Sequence, residues 1–237
     1  MSERFFLETP PRDGRAALTG DEARHLTRVL RAKVGDEIVV FDGVGTAWPA
    51  RVVGLGRDRV DLATGAAEVA PPRRGPVVTL AVALPKGERQ KWLVEKLTEL
   101  GVDRLVPLET TRGVAEATPS ARARLERGVI EACKQCGRTR LMTIAPPRPV
   151  ADLVATLPAE GHTLIAEPGA PSFNASGIAA SVSTLLALVG PEGGFTDAEI
   201  AAAEQAGAVR VGLGPHILRI ETAAITLAVR LTMRGDG

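Results

Sequence analysis

The sequence predicts a chain in two parts, a small β-barrel followed by an α/β unit built on a parallel sheet. Three observations carry that reading. Residues 4–70 hold short strand-like runs close together around one helical stretch. From residue 77 onward, short runs of Val, Ile and Leu alternate with stretches of helical period, the pattern of a parallel sheet covered on both faces. Between the two, PPRRGP (71–76) stiffens the chain and stops regular structure, which places the expected domains at 1–72 and 73–237.

In the first part, a helix is expected from Thr19, with Glu22 three residues on as its capping-box partner and Leu26, Val29 and Leu30 on one face. Gly35-Asp36 ends that segment. EIVVF (37–41), AWPARVVGL (47–55) and RVDLA (59–63) follow as strands, separated by DGVG and GRDR turns. In the second part, the strands expected are VVTLAVAL (77–84), RLVPLE (104–109), LMTIA (141–145), TLIAE (163–167), TLLALVG (184–190) and VRVGLG (209–214). Trp92, Leu93, Lys96, Leu97 and Leu100 mark the first intervening helix.

Charge is unevenly distributed. The formal net charge is +1 over 237 residues. Residues 1–72 balance at −1, residues 73–148 at +7 and residues 149–237 at −5. The middle block is therefore the expected footprint for nucleic-acid phosphate, chiefly Arg73, Arg74, Lys86, Arg89, Lys91, Arg122, Arg124, Arg127, Lys134, Arg138 and Arg140. Aromatic residues make up 3% of the chain and tyrosine is absent, which argues against recognition by bases stacked on an aromatic sheet face. No run is long enough to span a membrane, and no signal-peptide pattern opens the chain, so a cytoplasmic protein is expected. Cys133 and Cys136 form a single C-x2-C without a second pair or a nearby His; no metal is expected, and both are read as packing residues.

Two strand ends carry the candidate chemistry. After TLLALV comes Gly190-Pro191-Glu192-Gly193-Gly194-Phe195, with Thr196 as helix N-cap and Glu199 as its partner. After VRVGL comes Gly214-Pro215-His216-Ile217-Leu218-Arg219, running into a helix from about Ile220. Glycines at strand ends let backbone approach a ligand, and open α/β sheets bind ligands at those ends. Neither loop has the spacing of a dinucleotide fingerprint or a P-loop, and a pocket of backbone and apolar groups suits a neutral adenosine-type ligand.

LVGPEGGFTDAEI (188–200) and GLGPHILRIETAAI (212–225) resemble the two signature segments of the RsmE family of SPOUT methyltransferases. HLTRVLRAKVGDEIVVFDGVG (25–45) is similar to that family's PUA-like barrel. ALPKGERQKWLVEKLTELGVDRLVPL (83–108) and IEACKQCGR (130–138) resemble its catalytic domain. The sequence departs from the family at Arg24-His25 (a paired histidine), Thr111-Arg112-Gly113 (Glu-Arg-Ser), QCGR (QSGR) and Ile220 (Thr). The resemblance implies a SPOUT-type parallel sheet with a deep C-terminal trefoil knot, a homodimer, and S-adenosylmethionine as cofactor for methylation of uridine N3 in 16S ribosomal RNA. It further implies that Glu167, Leu188, Val189, Gly190, Pro191, Glu192, Gly193, Gly194, Leu213, Gly214, Ile217, Leu218, Arg219, Thr222 and Ala223 hold the cofactor.

Uracil N3 must lose its proton before it can attack, and that leaves negative charge on the ring carbonyls. Arg219, at the end of the second loop, is the candidate to stabilise that charge; an ion pair with Glu221 or Glu192 is the alternative reading. Glu221 is the general base, or orients Arg219, or is a favourable charge at a helix start. His216 either touches ligand or has no role. Arg4, Arg28, Arg31, Lys86, Arg89, Arg112 and Arg138 are the candidate RNA contacts. The rival readings are a SPOUT enzyme for another rRNA or tRNA base, a non-catalytic RNA-binding protein, and a nicotinamide enzyme, the last lacking its phosphate fingerprint.

Overall fold

The computed structural model describes residues 3–72, 75–113, 118–156, 161–175, 177–178 and 181–233; Arg73 and Arg74 lie outside them. The chain forms two compact units, Met1–Arg73 with Ile130–Leu141, and Arg74–Val129 with Met142–Gly237. Residues 130–141, expected within the second domain, thus belong to the first unit.

The first unit runs β1 (Arg4–Phe6), β2 (Arg15–Thr19), α1 (Gly20–Arg24), β3 (Glu37–Phe41), β4 (Thr46–Leu55), β5 (Arg59–Thr64) and β6 (Glu68–Val69). The sheet order is β1-β3-β4-β5-β2, with β6 on β4. β1 and β3 are parallel and the other pairs antiparallel. Alternation along the strands sends Phe5, Leu18, Val40, Val52 and Leu62 into one core, around which the sheet curls. The DGVG turn is closed by Asp42, whose Oδ1 accepts from the backbone N–H of Val44 (2.9 Å), Gly45 (3.1 Å) and Thr46 (2.9 Å).

The helix of this unit departs from expectation. Thr19 is its N-cap but makes no side-chain capping bond. Glu22 is drawn elsewhere, accepting from Phe6 N (3.1 Å) and Lys134 Nζ (3.0 Å). Residues His25–Val29 then form a π-turn, in which Leu30 N donates to His25 O, five residues back. The wider turn rotates the following residues off the buried stripe. Leu26 is buried, whereas Val29 is 64% exposed.

The second unit comprises β7 (Val77–Val82), α2 (Glu88–Glu99), β8 (Arg104–Glu109), the first part of α3 (Pro119–Cys136), β9 (Thr143–Ile144), β10 (Arg148–Pro149), α4 (Val150–Val154), β11 (Gly161–Ala166), β12 (Thr184–Val189), α5 (Asp197–Gln205), β13 (Val209–Val211) and α6 (Ile220–Thr232). The sheet order is β10-β8-β7-β12-β11-β13, with β9 on β8, and every pair is parallel. LMTIA supplies only the two residues of β9. On α2 the buried positions are Gln90, Leu93, Val94, Leu97 and Thr98, while Trp92 turns outward. Cys133 is buried, but Cys136 is exposed and does not pack. Among the described residues, no helix is long and apolar enough to cross a membrane.

One glycine after β13 is fixed by a close crossing of backbones. Gly212 N donates to Pro171 O (2.7 Å), and Phe173 N donates to Gly212 O (3.1 Å). A Cβ on Gly212 would lie 2.4 Å from Ala170 O. Gly212→Ala must push two hydrogen-bonded segments apart, so it is expected to lower unfolding stability by about 1–3 kcal/mol. Urea denaturation checks this, and an unchanged midpoint would contradict it.

Candidate active site

The site is built on a register. Ala166 at the end of β11 pairs with Val189 at the end of β12 and with Val211 at the end of β13. Three chain segments therefore leave one row of a parallel sheet side by side, at its carboxyl edge. They enclose a cleft. Glu167 lines it from the first segment; Val189, Gly190, Pro191, Glu192 and Gly194 from the second; Leu213, Gly214, Ile217 and Leu218 from the third. Ala223, on α6, closes it.

Local sequence explains the shape of the second segment. Phe195, 5% exposed, anchors it in the core, and Gly194 takes φ +69°, a region that favours glycine. The expected capping box is present, with Glu199 N donating to Thr196 Oγ1 (3.2 Å) and Thr196 N donating to Glu199 Oε2 (2.7 Å). Loop and helix start are thereby held together.

Not every candidate reaches the cleft. Leu188 faces the sheet core and is fully buried, because alternation along β12 turns it away. Gly193, Arg219 and Thr222 do not line it either, whereas Ala166, Pro168, His216 and Ile220 do. Ala166, Pro168 and Ile220 sit beside predicted residues, and only adjacency in sequence pointed to them; His216, for which ligand contact was one of two readings, lines the cleft.

Two carboxylates mark the site electrostatically. Glu167 Oε2 is buried with no hydrogen-bond partner, and burial raises its pKa; Asp197 adds to the rise and Arg210 opposes it. Glu221 is 7% exposed, and its Oε2 is likewise buried without a partner. Its Oε1 lies 3.8 Å from Arg89 Nη1, which donates to Glu192 Oε1 at 3.1 Å. The cation serving both glutamates is therefore Arg89. Arg219, weighed as their partner, is the exposed N-cap of α6 and makes no side-chain hydrogen bond or ion pair among the described residues.

The basic residues divide in the same way. Arg112 donates to Gly193 O (2.7 Å) and Phe195 O (3.3 Å). Lys134 pairs with Glu22 and Glu131. Arg140 donates to Val44 O, and Arg122 pairs with Glu126. Arg4 stacks over the Phe41 ring at 5.4 Å, with its Nε and Nη2 buried and unpartnered, and Arg138 is half-buried. Lys86, Lys91, Arg124 and Arg127, and in the first unit Arg28 and Arg31, are exposed with no side-chain partner among the described residues. No group of three or more metal-ligating side chains occurs among them either.

The family model described as an RNA methyltransferase domain matches residues 73–232, and the RNA methyltransferase PUA domain matches residues 18–64. Ribosomal RNA small subunit methyltransferase E of Mycobacterium bovis is 34% identical over 93% of this chain and 87% of its own length. Its Bacillus subtilis counterpart is 28% identical over 99% of both chains. The chain belongs to the small-subunit methyltransferase E family. Among solved structures, the Neisseria gonorrhoeae methyltransferase E bound to S-adenosylmethionine matches with a TM-score of 0.88 and 29% identity, over 97% of this chain and 96% of its own. A Legionella pneumophila structure with bound cofactor SAM matches with a TM-score of 0.89 and 27% identity, over 98% and 97%. The family's α/β fold, with a parallel sheet and a PUA-like unit, is the fold described above.

A raised carboxyl pKa in the folded state means that ionised Glu167 works against folding. The penalty is full above its folded pKa and vanishes below the unfolded value, so stability falls as pH rises through that window. Glu167→Gln is therefore expected to raise the Tm of the free protein at neutral pH and to lose that advantage in acid. Calorimetric scans across pH check this; an equal or lower Tm at neutral pH would contradict it.

Proposed function

We propose that this protein uses S-adenosylmethionine to methylate N3 of a uridine in 16S ribosomal RNA, acting as a cytoplasmic homodimer with a knotted C-terminal segment. The observation that carries the reading is the cleft at three adjacent strand ends. It is lined largely by glycine backbone and apolar side chains, with Glu167 in its wall and Glu221 next in sequence to the lining residue Ile220; one oxygen of each is buried without a partner among the described residues. Those features fit the cofactor. Exposed backbone and Leu213, Ile217 and Leu218 suit an adenosine moiety, and the Glu167 carboxylate suits a cationic group.

When bound, S-adenosylmethionine supplies an electrophilic methyl group on a sulfonium. The protein's task is then to prepare the nucleophile and align it. Glu221 Oε2 is the proton acceptor we assign for uracil N3, since it is buried and has no competing hydrogen bond. Arg89, beside Oε1, holds that carboxylate in place. Arg219 has no side-chain partner among the described residues and stands at the start of α6, so its guanidinium is available to the charge developing on the uracil carbonyls. Lys86, Lys91, Arg124 and Arg127 supply phosphate contacts.

Deleting the gene is expected to remove 3-methyluridine from small-subunit rRNA, read by mass spectrometry of nuclease digests. Complementation with wild type should restore it, and Arg219→Ala should restore it poorly, with the rate down about 100-fold. Persistence of 3-methyluridine after deletion would overturn the assignment. Full rescue by Arg219→Ala would remove only that residue's role.

A further inference from the structure

The loop after β8 approaches the first glycine loop from a distant part of the sequence. Besides the two carbonyls held by Arg112, Thr111 N donates to Glu199 Oε1 (2.8 Å), and Thr111 Oγ1 lies 3.3 Å from the same oxygen. Glu199 thus serves two elements at once, since its other oxygen closes the capping box of α5. Although burial opposes ionisation, the bonds from Thr196 and Thr111 hold its pKa below the usual carboxylate range, so it remains an ionised acceptor at neutral pH. The arginine also packs on the loop: a Cβ on Gly193 would lie 3.4 Å from Arg112 Cδ.

We infer that Thr111 and Arg112 are positioning residues that brace the first glycine loop for the cofactor, and that Arg112 is not an RNA contact. The carbonyls of Gly193 and Phe195 follow Glu192, which lines the cleft, and flank Gly194, which also lines it. One nitrogen, Nη1, donates to both carbonyls, which ties the peptides on either side of Gly194 to a single point of the guanidinium. Thr111 fits the same role. A carboxylate at position 111 would repel Glu199, whereas the threonine hydroxyl donates to it.

The inference rests on the cofactor reading, and its test separates the two. Arg112→Ala is expected to weaken S-adenosylmethionine binding about fivefold by calorimetry, the loss of one ordinary net hydrogen bond. In turnover it should raise KM for the cofactor more than it lowers kcat. Affinity for a small-subunit rRNA fragment, and the slope of that affinity against salt, should stay at wild-type values. Arg112→Lys, which keeps a cationic N–H donor but not the planar guanidinium, should recover part of the cofactor affinity. It carries the test if the alanine variant does not fold. Wild-type cofactor affinity in a folded variant, or weaker rRNA binding with a shallower salt slope, would overturn the inference. If the wild-type protein itself binds no S-adenosylmethionine, the cofactor reading fails first.

Discussion

The pairing of Ala166 with both Val189 and Val211 is the constraint on which the rest of the candidate site depends. Parallel strands end at the same edge, so this register releases three loops within reach of one another. A shift of one residue would turn every side chain of β11 to the other face and carry Glu167 away from the cleft. Close packing on the two faces of β12 and at the centre of β11 opposes such a shift, since each buried side chain would have to enter a space shaped for its neighbour. Glycine in the loops then does local work, bringing backbone close to a ligand or to a neighbouring segment, while the sheet sets where that backbone lies.

The charged residues serve two purposes that the net charge hides. Several arginines and lysines of the basic block are spent inside the fold. Arg112 binds loop carbonyls, Arg89 faces two glutamates, and Lys134 joins Glu22 beside the Phe5 ring. Each holds a carboxylate or a loop that would otherwise be poorly fixed. Among the described residues of that block, Lys86, Lys91, Arg104, Arg124 and Arg127 face solvent without a side-chain partner, a smaller set than the +7 excess suggests. A salt-sensitive contribution to RNA affinity should come from this subset.

Much of the architecture was legible in the sequence, because strands buried on both faces appear as short runs of Val, Ile and Leu with glycine after them. RLVPLE became a strand of the same extent, TLLALVG lost only its terminal glycine, and the Thr196–Glu199 box formed with both of its bonds. The same spacing at Thr19 and Glu22 failed, since Lys134 and the Phe6 amide compete for that glutamate and spacing carries no trace of distant partners. The π-turn at His25–Val29 was hidden for a similar reason; a periodicity argument assumes a regular helix. In the site, the glycine loops were visible as motifs. The pairing of Arg89 with Glu192 and Glu221 and the Thr111–Glu199 bond were not, because they join residues roughly a hundred positions apart.

Amide hydrogen exchange on the purified protein, with and without S-adenosylmethionine, tests the central claim most directly. If the three strand-end loops form the cofactor site, adding the cofactor should slow exchange in residues 190–195, 213–219 and the segment that begins at Glu167, and leave β1 to β5 unchanged. Protection confined to the first unit, or none in those loops at saturating cofactor, would contradict it.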